Sequence, residues 1–289
     1  MKPEVIYLET TNLCNAKCIM CPHEKITRNP KVMTDEIFYK AVKDCKKIGI
    51  KGGQIFLHKE GEPLLDTQIM DRINYVVREL GQDNEIGIST NAMLLDENKA
   101  IELIESGVNV VFFSVDGACK EEYEQIRLNL NYDIVKKNIE FFFSKCIEKN
   151  VKIRVVMQML IEDEKYNSSK QFIKNWEKYP CEFYIKRMHG YLDGGRSSQS
   201  KNLSVDQTNI CNDPFRIAVV YTNGNVGLCC WDYNNEYSLG NIMNEDISKL
   251  FNGDKAQNLR KSIIERRCKD IRPCNRCAKI FGNDEISKY

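Results

Sequence analysis

Short apolar runs alternate with longer amphipathic segments along the first 190 residues. The short runs are rich in β-branched residues and have the length of buried strands, whereas the longer segments carry apolar residues at helical spacing. The predicted strands are Val5 to Glu9, Gln54 to His58, Ile86 to Thr90, Val110 to Val115, Ile153 to Leu160 and Glu182 to Lys186. The predicted helices are Asp35 to Lys47, Gln68 to Leu80, Asp96 to Glu105, Tyr132 to Lys149 and Ser168 to Tyr179. Because repeated right-handed βα crossovers require a parallel sheet, this order predicts an α/β fold, a partial (βα)6 barrel of the TIM type.

The pattern changes after about residue 190. Residues 189–201 are rich in Gly, Ser and polar side chains, which is typical of a linker or a loop. Beyond them, Asn223-Gly224 gives a strong signal for a hairpin turn between two apolar runs. The predicted elements of this tail are strands at Ile217 to Tyr221 and Val226 to Cys230, and helices at Asp246 to Phe251 and Asp254 to Arg266. We therefore expect a barrel domain at residues 1–190 and a small hairpin-plus-helix domain at residues 191–289.

Charge and hydropathy exclude some classes of partner. The chain has 42 Lys and Arg against 41 Asp and Glu, a net charge of +1, and no dense basic run that would follow a phosphate backbone. The N-terminal residues lack the pattern of a signal peptide, and no window is apolar enough to span a membrane. We expect a cytoplasmic protein without nucleic-acid or membrane partners.

Thirteen cysteines in a chain of 289 residues point to metal ligation or redox chemistry, since a long chain without a signal peptide is a poor candidate for disulfides. Cys14, Cys18 and Cys21 follow directly after the first predicted strand, where a βα barrel carries its catalytic groups. Cysteine thiolates hold iron–sulfur clusters, and three of them would leave one iron of a cubane open. A zinc site that adds His23 is the structural alternative.

The CxxxCxxC triplet on the loop after the first strand resembles the signature of the radical S-adenosylmethionine (SAM) superfamily. Further positions resemble SAM-binding motifs of that family. Gly61-Glu62-Pro63 is similar to its GGEP segment, although Glu60 stands where the family has its first glycine. The remaining positions, around the ribose, the methionine moiety and the SAM carboxylate, would be Ser89, Asn91, Ser114, Asp116 and Arg127.

This resemblance implies two cofactors, a 4Fe-4S cluster and SAM, which the open iron chelates. Reduction of the cluster cleaves SAM to a 5'-deoxyadenosyl radical, which removes a hydrogen atom from a small-molecule or peptide substrate. The implied electron donor is a flavodoxin or ferredoxin type reductant. The cofactor performs the difficult chemistry, and the protein orients the reactants and excludes water.

The tail resembles the twitch and SPASM extensions that carry auxiliary iron–sulfur clusters. The implied ligands of one auxiliary 4Fe-4S cluster are Cys211, Cys229, Cys274 and Cys277. Cys268 and Cys230 compete for these places, and four thiolates would also suit a closed zinc site. The remaining cysteines read as small buried hydrophobic residues: Cys45, Cys119, Cys146 and Cys181.

The segments GEPLL and GNVGLCCWDYNNEYSLGNI resemble those of 2-deoxy-scyllo-inosamine dehydrogenase type enzymes. That likeness implies oxidation of a hydroxyl-bearing carbon of a sugar or aminocyclitol, with the auxiliary cluster as electron acceptor. Arg187, Trp231 and Asp232 are the candidate substrate contacts. Alternatives are an epimerase in which Cys230 donates a hydrogen atom, a peptide maturase, and a non-catalytic iron–sulfur or zinc module. If Val226 to Cys230 is a strand, Cys230 points away from Cys229.

Overall fold

The computed structural model describes residues 1–161, 166–187, 192 and 210–277. Within these residues the chain forms short strands and a series of helices. The strands are β1 (Val5–Leu8), β2 (Lys17–Cys18), β3 (Gln54–Phe56), β4 (Glu85–Thr90), β5 (Val110–Ser114), β6 (Arg127–Leu128), β7 (Arg154–Ile161), β8 (Glu182–Arg187), β9 (Ile217–Val220), β10 (Asn225–Gly227) and β11 (Gly240–Asn241). The helices are α1 (Asp35–Ile48), α2 (Ile69–Leu80), α3 (Glu97–Glu105), α4 (Lys120–Ile126), α5 (Tyr132–Glu148), α6 (Tyr166–Trp176), α7 (Asp213–Arg216), α8 (Ile247–Asn252) and α9 (Asp254–Ile264).

Six parallel strands form the barrel wall in the order β1-β3-β4-β5-β7-β8, and the helices between them cover its outer face. This arrangement confirms the predicted partial barrel. Helix α1 shows how the pattern produces it, because Phe38, Ala41, Val42 and Cys45 lie on one buried face at helical spacing. The helix ends at Gly49, whose φ of 66° suits a glycine in the left-handed region.

The tail hairpin continues the barrel sheet. Strand β9 pairs in parallel with β1 over Val5–Leu8, and β10 and β11 follow antiparallel at the edge. Helix α8 packs against α1, and Lys40 on α1 forms ion pairs with Asp44 and with Asp246 before α8. The tail therefore shares its sheet with the barrel and packs against a barrel helix, which fixes its position relative to the barrel mouth.

Several short elements of the described chain were absent from the prediction, namely α4, α7, β2, β6 and β11. Helix α4 follows Gly117, and this position requires glycine because a Cβ there would lie 2.5 Å from the backbone N of Tyr123. Strands β2 and β6 form a separate two-residue ladder that joins the loop after β1 to the end of α4. The predicted tail strand to Cys230 was too long, because β10 ends at Gly227 and the next residues turn away.

Among the described helices, none is both long and apolar enough to cross a membrane.

Candidate active site

A cavity of about 1010 Å³ runs through the partial barrel. Side chains alternate across a strand, so every second residue of each barrel strand faces the inside. Aromatic residues form much of its wall, namely Tyr7, Phe56, Phe112 and Tyr184. We call this space the barrel cavity. The polar side chains predicted for the SAM site face it near the carboxyl ends of the strands, as does the loop that carries the cysteine triplet.

Cys14, Cys18 and Cys21 all line the barrel cavity. Burial raises the pKa of the Cys14 thiol to about 11, and burial together with Glu60 raises the pKa of Cys21. A metal ligand must be a thiolate, so iron has to displace these protons when it binds. Three thiols gathered at one end of a cavity fit a 4Fe-4S cluster that keeps one iron open.

The Gly61-Glu62-Pro63 segment packs directly on the cysteine loop. A Cβ on Gly61 would lie 2.4 Å from the carbonyl O of Thr11, so only glycine permits this approach. The buried Glu62 carboxylate accepts hydrogen bonds from Leu64 N at 3.1 Å, Thr90 Oγ1 at 2.6 Å and Asn91 N at 2.8 Å. An ionised carboxylate has four lone-pair sites, so one place on Oε2 is left for an ammonium group.

The other predicted SAM-site residues form a hydrogen-bonded rim. Asn91 Nδ2 donates to Asn15 Oδ1 at 2.8 Å and ties the end of β4 to the cysteine loop. Ser89 Oγ and Ser114 Oγ are 3.3 Å apart, and Ser114 Oγ donates to Gln158 Oε1 at 3.3 Å. Gln158 was not predicted, although its place at an inward position of β7 could have revealed it.

Asp116 and Arg127 form a buried ion pair at the cavity wall, with Arg127 Nη2 2.6 Å from Asp116 Oδ2. The other carboxylate oxygen of Asp116 accepts a hydrogen bond from Leu160 N at 2.8 Å. Asp116 therefore uses both oxygens inside the protein and, like Glu62, keeps one of its four lone-pair sites, here on Oδ1. Arg127 stays at the cavity and keeps N–H donors for a carboxylate.

His58, which the sequence did not single out, faces the barrel cavity between Tyr7 and Phe56. Its Nδ1 accepts a hydrogen bond from Ser89 N at 3.0 Å, so the ring proton lies on Nε2. Burial and the nearby Lys59 lower the pKa of His58 to about 3. The imidazole is thus neutral at physiological pH and offers the cavity a hydrogen-bond donor.

Acidification is expected to destabilise the protein through His58. Its folded-state pKa lies below the ordinary value of 6.5, so the unfolded state binds more protons as the pH falls from 6.5 toward 3. Between pH 7 and pH 5 this amounts to about 2 kcal/mol of unfolding free energy. Urea unfolding at both pH values should show a smaller loss for His58→Gln than for the wild type. An equal loss in the two proteins would contradict this expectation.

A buried charge network joins the barrel mouth to the tail. The Arg28 guanidinium binds both carboxylate oxygens of Glu9, at 2.5 and 2.7 Å, and lies 4.7 Å above the ring of Tyr221 on the tail side. Lys59 pairs with Glu60 and lies 5.1 Å above the same ring. Burial alone would lower the pKa of Lys59, but Glu60 and Glu9 raise it. The departure from the GGEP motif at Glu60 thus has a structural partner, Lys59.

The tail cysteines surround a second, small pocket. Four of them line it, and we call it the tail pocket: Cys211, Cys229, Cys274 and Cys277. Burial and the neighbouring Cys230 and Cys277 raise the pKa of the Cys229 thiol well above its usual value. Cys268 is fully buried and lies beside Cys274 without lining the pocket. The four lining thiols are the set implied by the sequence for the auxiliary cluster, and they fit cysteine ligation of a cubane.

The candidate substrate contacts separate into two groups. Cys230 and Trp231 line the barrel cavity, and Cys230 Sγ lies 3.8 Å from Asp213 Oδ2. Asp232 instead borders the tail pocket, and its carboxylate accepts hydrogen bonds from Glu236 N and Tyr237 N at 2.8 and 3.0 Å. The side chain of Asp232 thus stabilises a turn on the tail side of this wall, and its substrate contact stays a prediction.

Two predicted features lie outside the described residues. These are the side chain of Arg187 and the loop at residues 189–201, apart from Leu192, which borders the tail pocket. On the same strand as Arg187, Tyr184 and Lys186 line the barrel cavity.

The zinc alternative gains no support at either site. Within residues 1–161, 166–187, 192 and 210–277, no three His, Cys, Asp or Glu side chains are grouped to hold one metal ion. His23 Nε2 lies 2.8 Å from the carbonyl O of Asn12, so this nitrogen is engaged outside the triplet. Each cysteine of a cubane binds its own iron, so a cluster does not require its ligands to meet at one point.

Comparison with known proteins covers both parts of the chain. Residues 8–166 match the radical SAM superfamily, and residues 211–278 match SPASM, an iron–sulfur cluster-binding domain. GTP 3',8-cyclase of Clostridium perfringens (strain SM101 / Type A) is 33% identical over 165 residues, which cover 55% of this chain and 48% of that enzyme. A tungsten-containing aldehyde ferredoxin oxidoreductase cofactor-modifying protein of Pyrococcus furiosus is 33% identical over 111 residues, 38% of this chain and 30% of that protein. The chain thus spans about half the length, or less, of these relatives.

Solved structures extend the likeness over the whole fold. BtrN in complex with AdoMet and 2-DOIA is 19% identical with a TM-score of 0.64, and the match covers 99% of each chain. The structure of anSMEcpe with bound AdoMet is 17% identical with a TM-score of 0.70, covering 97% of this chain and 91% of that one. At these identities the likeness shows the fold alone. The cofactors of the matched domains are a 4Fe-4S cluster, SAM and auxiliary iron–sulfur clusters. The two matched domains establish that the chain belongs to the radical SAM superfamily and carries a SPASM domain.

Proposed function

We propose that this radical SAM enzyme oxidises a hydroxyl-bearing carbon of a sugar or aminocyclitol-like substrate to a ketone. The observation that carries the proposal is the wall shared by the barrel cavity and the tail pocket. Cys229 lines the tail pocket, and the next two residues, Cys230 and Trp231, line the barrel cavity. One of the proposed auxiliary ligands is therefore adjacent in the chain to the wall of the barrel cavity, which suits an electron acceptor for a substrate bound there.

The 4Fe-4S cluster and SAM supply a 5'-deoxyadenosyl radical when a flavodoxin or ferredoxin type protein provides one electron. The proposed ligands of this cluster are Cys14, Cys18 and Cys21. The proposed SAM-binding residues are Gly61, Glu62, Pro63, Ser89, Asn91, Ser114, Asp116 and Arg127. Asp116 also holds Arg127 in place through their ion pair.

The reaction balances as a two-electron oxidation. The reacting carbon gives up one hydrogen atom, which becomes part of 5'-deoxyadenosine. The remaining carbon radical loses its hydroxyl proton and one electron, and a C=O bond forms. An auxiliary cluster held by Cys211, Cys229, Cys274 and Cys277 would accept this electron.

Among the described residues of the cavity wall, Glu60 can accept the hydroxyl proton and His58 can donate a hydrogen bond to the product oxygen. Other carboxylates that line the cavity accept from backbone donors or pair with arginine, as Glu62 and Asp116 do, whereas Glu60 pairs with Lys59. We assign Glu60 as the proton acceptor. The fixed Nε2–H of His58 can donate a hydrogen bond to the developing carbonyl oxygen, since hydrogen bonds strengthen as charge develops on the acceptor.

The test is an anaerobic assay of cluster-loaded enzyme with SAM, reduced flavodoxin and a panel of aminocyclitols and sugars that includes 2-deoxy-scyllo-inosamine. The proposal predicts a ketone and 5'-deoxyadenosine in equal amounts. A panel in which 5'-deoxyadenosine appears but every hydroxyl-bearing carbon stays unoxidised would contradict it. A peptide substrate in place of the panel would then test the maturase alternative. The structural likeness to SuiB bound to precursor peptide SuiA is the reason to include it.

Epimerisation is a second candidate because Cys230 faces the barrel cavity. Its thiol could return a hydrogen atom to the opposite face of the carbon radical, with no net oxidation. Turnover in deuterated water separates the two reactions. An epimerase would place deuterium on the reacting carbon, and Cys230→Ala would abolish this labelling. The dehydrogenase proposal predicts a ketone and no such label. It also predicts that Cys230→Ala loses less than about tenfold in activity, since the thiol takes no part in the oxidation and only its packing and its weak contact with Asp213 are lost.

A further inference from the structure

Cys18 lies directly opposite Arg127 although 109 positions separate them in the chain. The two residues are partners in the β2–β6 ladder, and Ile19 N donates to the carbonyl O of Ile126 at 3.0 Å next to them. The loop that carries the cysteine triplet is thus fixed to the end of α4 by backbone hydrogen bonds. This pairing determines which side chain faces Cys18.

The Arg127 guanidinium reaches the sulfur of Cys18. Arg127 Nη1 donates a hydrogen bond to Cys18 Sγ at 3.6 Å, and the arginine side chain is only 12% exposed. A hydrogen bond from a charged donor is stronger than one between neutral groups, and poor access of water strengthens it further. The contact is therefore a specific interaction between the guanidinium and the sulfur.

Asp116 holds the guanidinium in this orientation. Its Oδ2 accepts from Arg127 Nε at 2.8 Å and pairs with Nη2 at 2.6 Å, while its Oδ1 accepts from Leu160 N. The carboxylate is 1% exposed and is anchored to β7, so the arginine cannot swing away without leaving a buried charge unpaired. Arg127 uses three of its five N–H donors in these contacts, which leaves two for a SAM carboxylate.

We infer that Arg127 is a positioning residue that donates a charge-assisted N–H···S hydrogen bond to the cluster ligand Cys18 and so raises the reduction potential of the SAM-binding cluster. Reduction adds negative charge to a cluster and its sulfurs, so a cationic donor stabilises the reduced form more than the oxidised form. The inference rests on cluster ligation by Cys14, Cys18 and Cys21. It is independent of the substrate, so failure of the dehydrogenase assay would leave it standing.

The experiment is a redox titration of the cluster-loaded protein without SAM, in which electron paramagnetic resonance measures the reduced cluster at each potential. Arg127→Gln removes the charge and the guanidinium donor, and Arg127→Lys keeps the charge. Lys17→Gln is the matched control. Lys17 is a cation next to Cys18 on β2, but its side chain is 62% exposed. Addition of SAM to a parallel sample identifies which signal belongs to the open cluster.

We expect Arg127→Gln to lower the ratio of reduced to oxidised open cluster about tenfold at fixed potential, a shift of about 59 mV for a one-electron couple. Arg127→Lys should recover part of that shift, and Lys17→Gln should leave the potential at the wild-type value. In protein labelled with ¹⁵N-arginine, a nitrogen hyperfine coupling to the reduced cluster should be present in the wild type and absent in Arg127→Gln. An unchanged potential in Arg127→Gln, with SAM affinity alone reduced, would overturn the inference and leave Arg127 as a SAM contact only.

Discussion

Cys18→Ala is expected to abolish the formation of 5'-deoxyadenosine from SAM. The open cluster would keep two protein thiolates instead of three, and the alanine would also leave Arg127 without its sulfur acceptor. Changes in outer-shell partners of metal sites cost about 10–100-fold in affinity or activity, so loss of a direct ligand should exceed about 100-fold. The measurement is chromatographic quantification of 5'-deoxyadenosine after anaerobic incubation with SAM and dithionite.

Cys119→Ala is the matched control for this result. Cys119 was predicted to be buried, which is wrong: it is an exposed cysteine before α4 and is not among the residues that line either pocket. This variant should produce 5'-deoxyadenosine at the wild-type rate. If Cys18→Ala retained that rate as well, the assignment of the open cluster to Cys14, Cys18 and Cys21 would be wrong.

Cys274→Ala is expected to reduce the rate of ketone formation by about 100-fold or more, while 5'-deoxyadenosine formation continues. The tail pocket would lose one of four thiolates, and the substrate radical would lose its electron acceptor. The barrel site should survive because the tail is attached through β9, which pairs with β1 along all four residues. Iron content, ketone and 5'-deoxyadenosine measured on one preparation would show the uncoupling.

Cys268→Ala tests whether the auxiliary ligands are correctly assigned. Cys268 is buried next to Cys274 but does not line the tail pocket. The variant should therefore retain its auxiliary iron and its ketone formation. If Cys268→Ala lost auxiliary iron and Cys274→Ala retained it, Cys268 would be the ligand in place of Cys274.

The barrel was predictable because each of its elements carries a local periodic signal. The predicted strand Glu182 to Lys186 differs from β8 by one residue, and predicted helix Asp35 to Lys47 differs from α1 by one residue. The cysteine triplet and Gly61 were also visible locally, through spacing and motif. The inward position of His58 follows from strand alternation and could have been inferred in the same way.

Contacts between distant parts of the chain could not be predicted. Nothing in the local sequence pairs Cys18 with Arg127, since a two-residue ladder has no hydrophobic period of its own. The tail reads as a separate domain because residues 189–201 have the composition of a linker, yet β9 extends the sheet beside β1. The turn that Asp232 stabilises was not visible either, because a carboxylate that accepts from backbone N–H groups has the same sequence signal as one that binds substrate.

The central claim is a division of labour between an open cluster that binds SAM and a closed cluster in the tail. Electron paramagnetic resonance of the reduced, cluster-loaded protein with and without SAM tests it most directly. The account predicts two cluster signals, of which SAM changes only the one that Cys18→Ala removes, while Cys274→Ala removes the other. If SAM left both signals unchanged, or changed the signal that Cys274→Ala removes, the account would be contradicted.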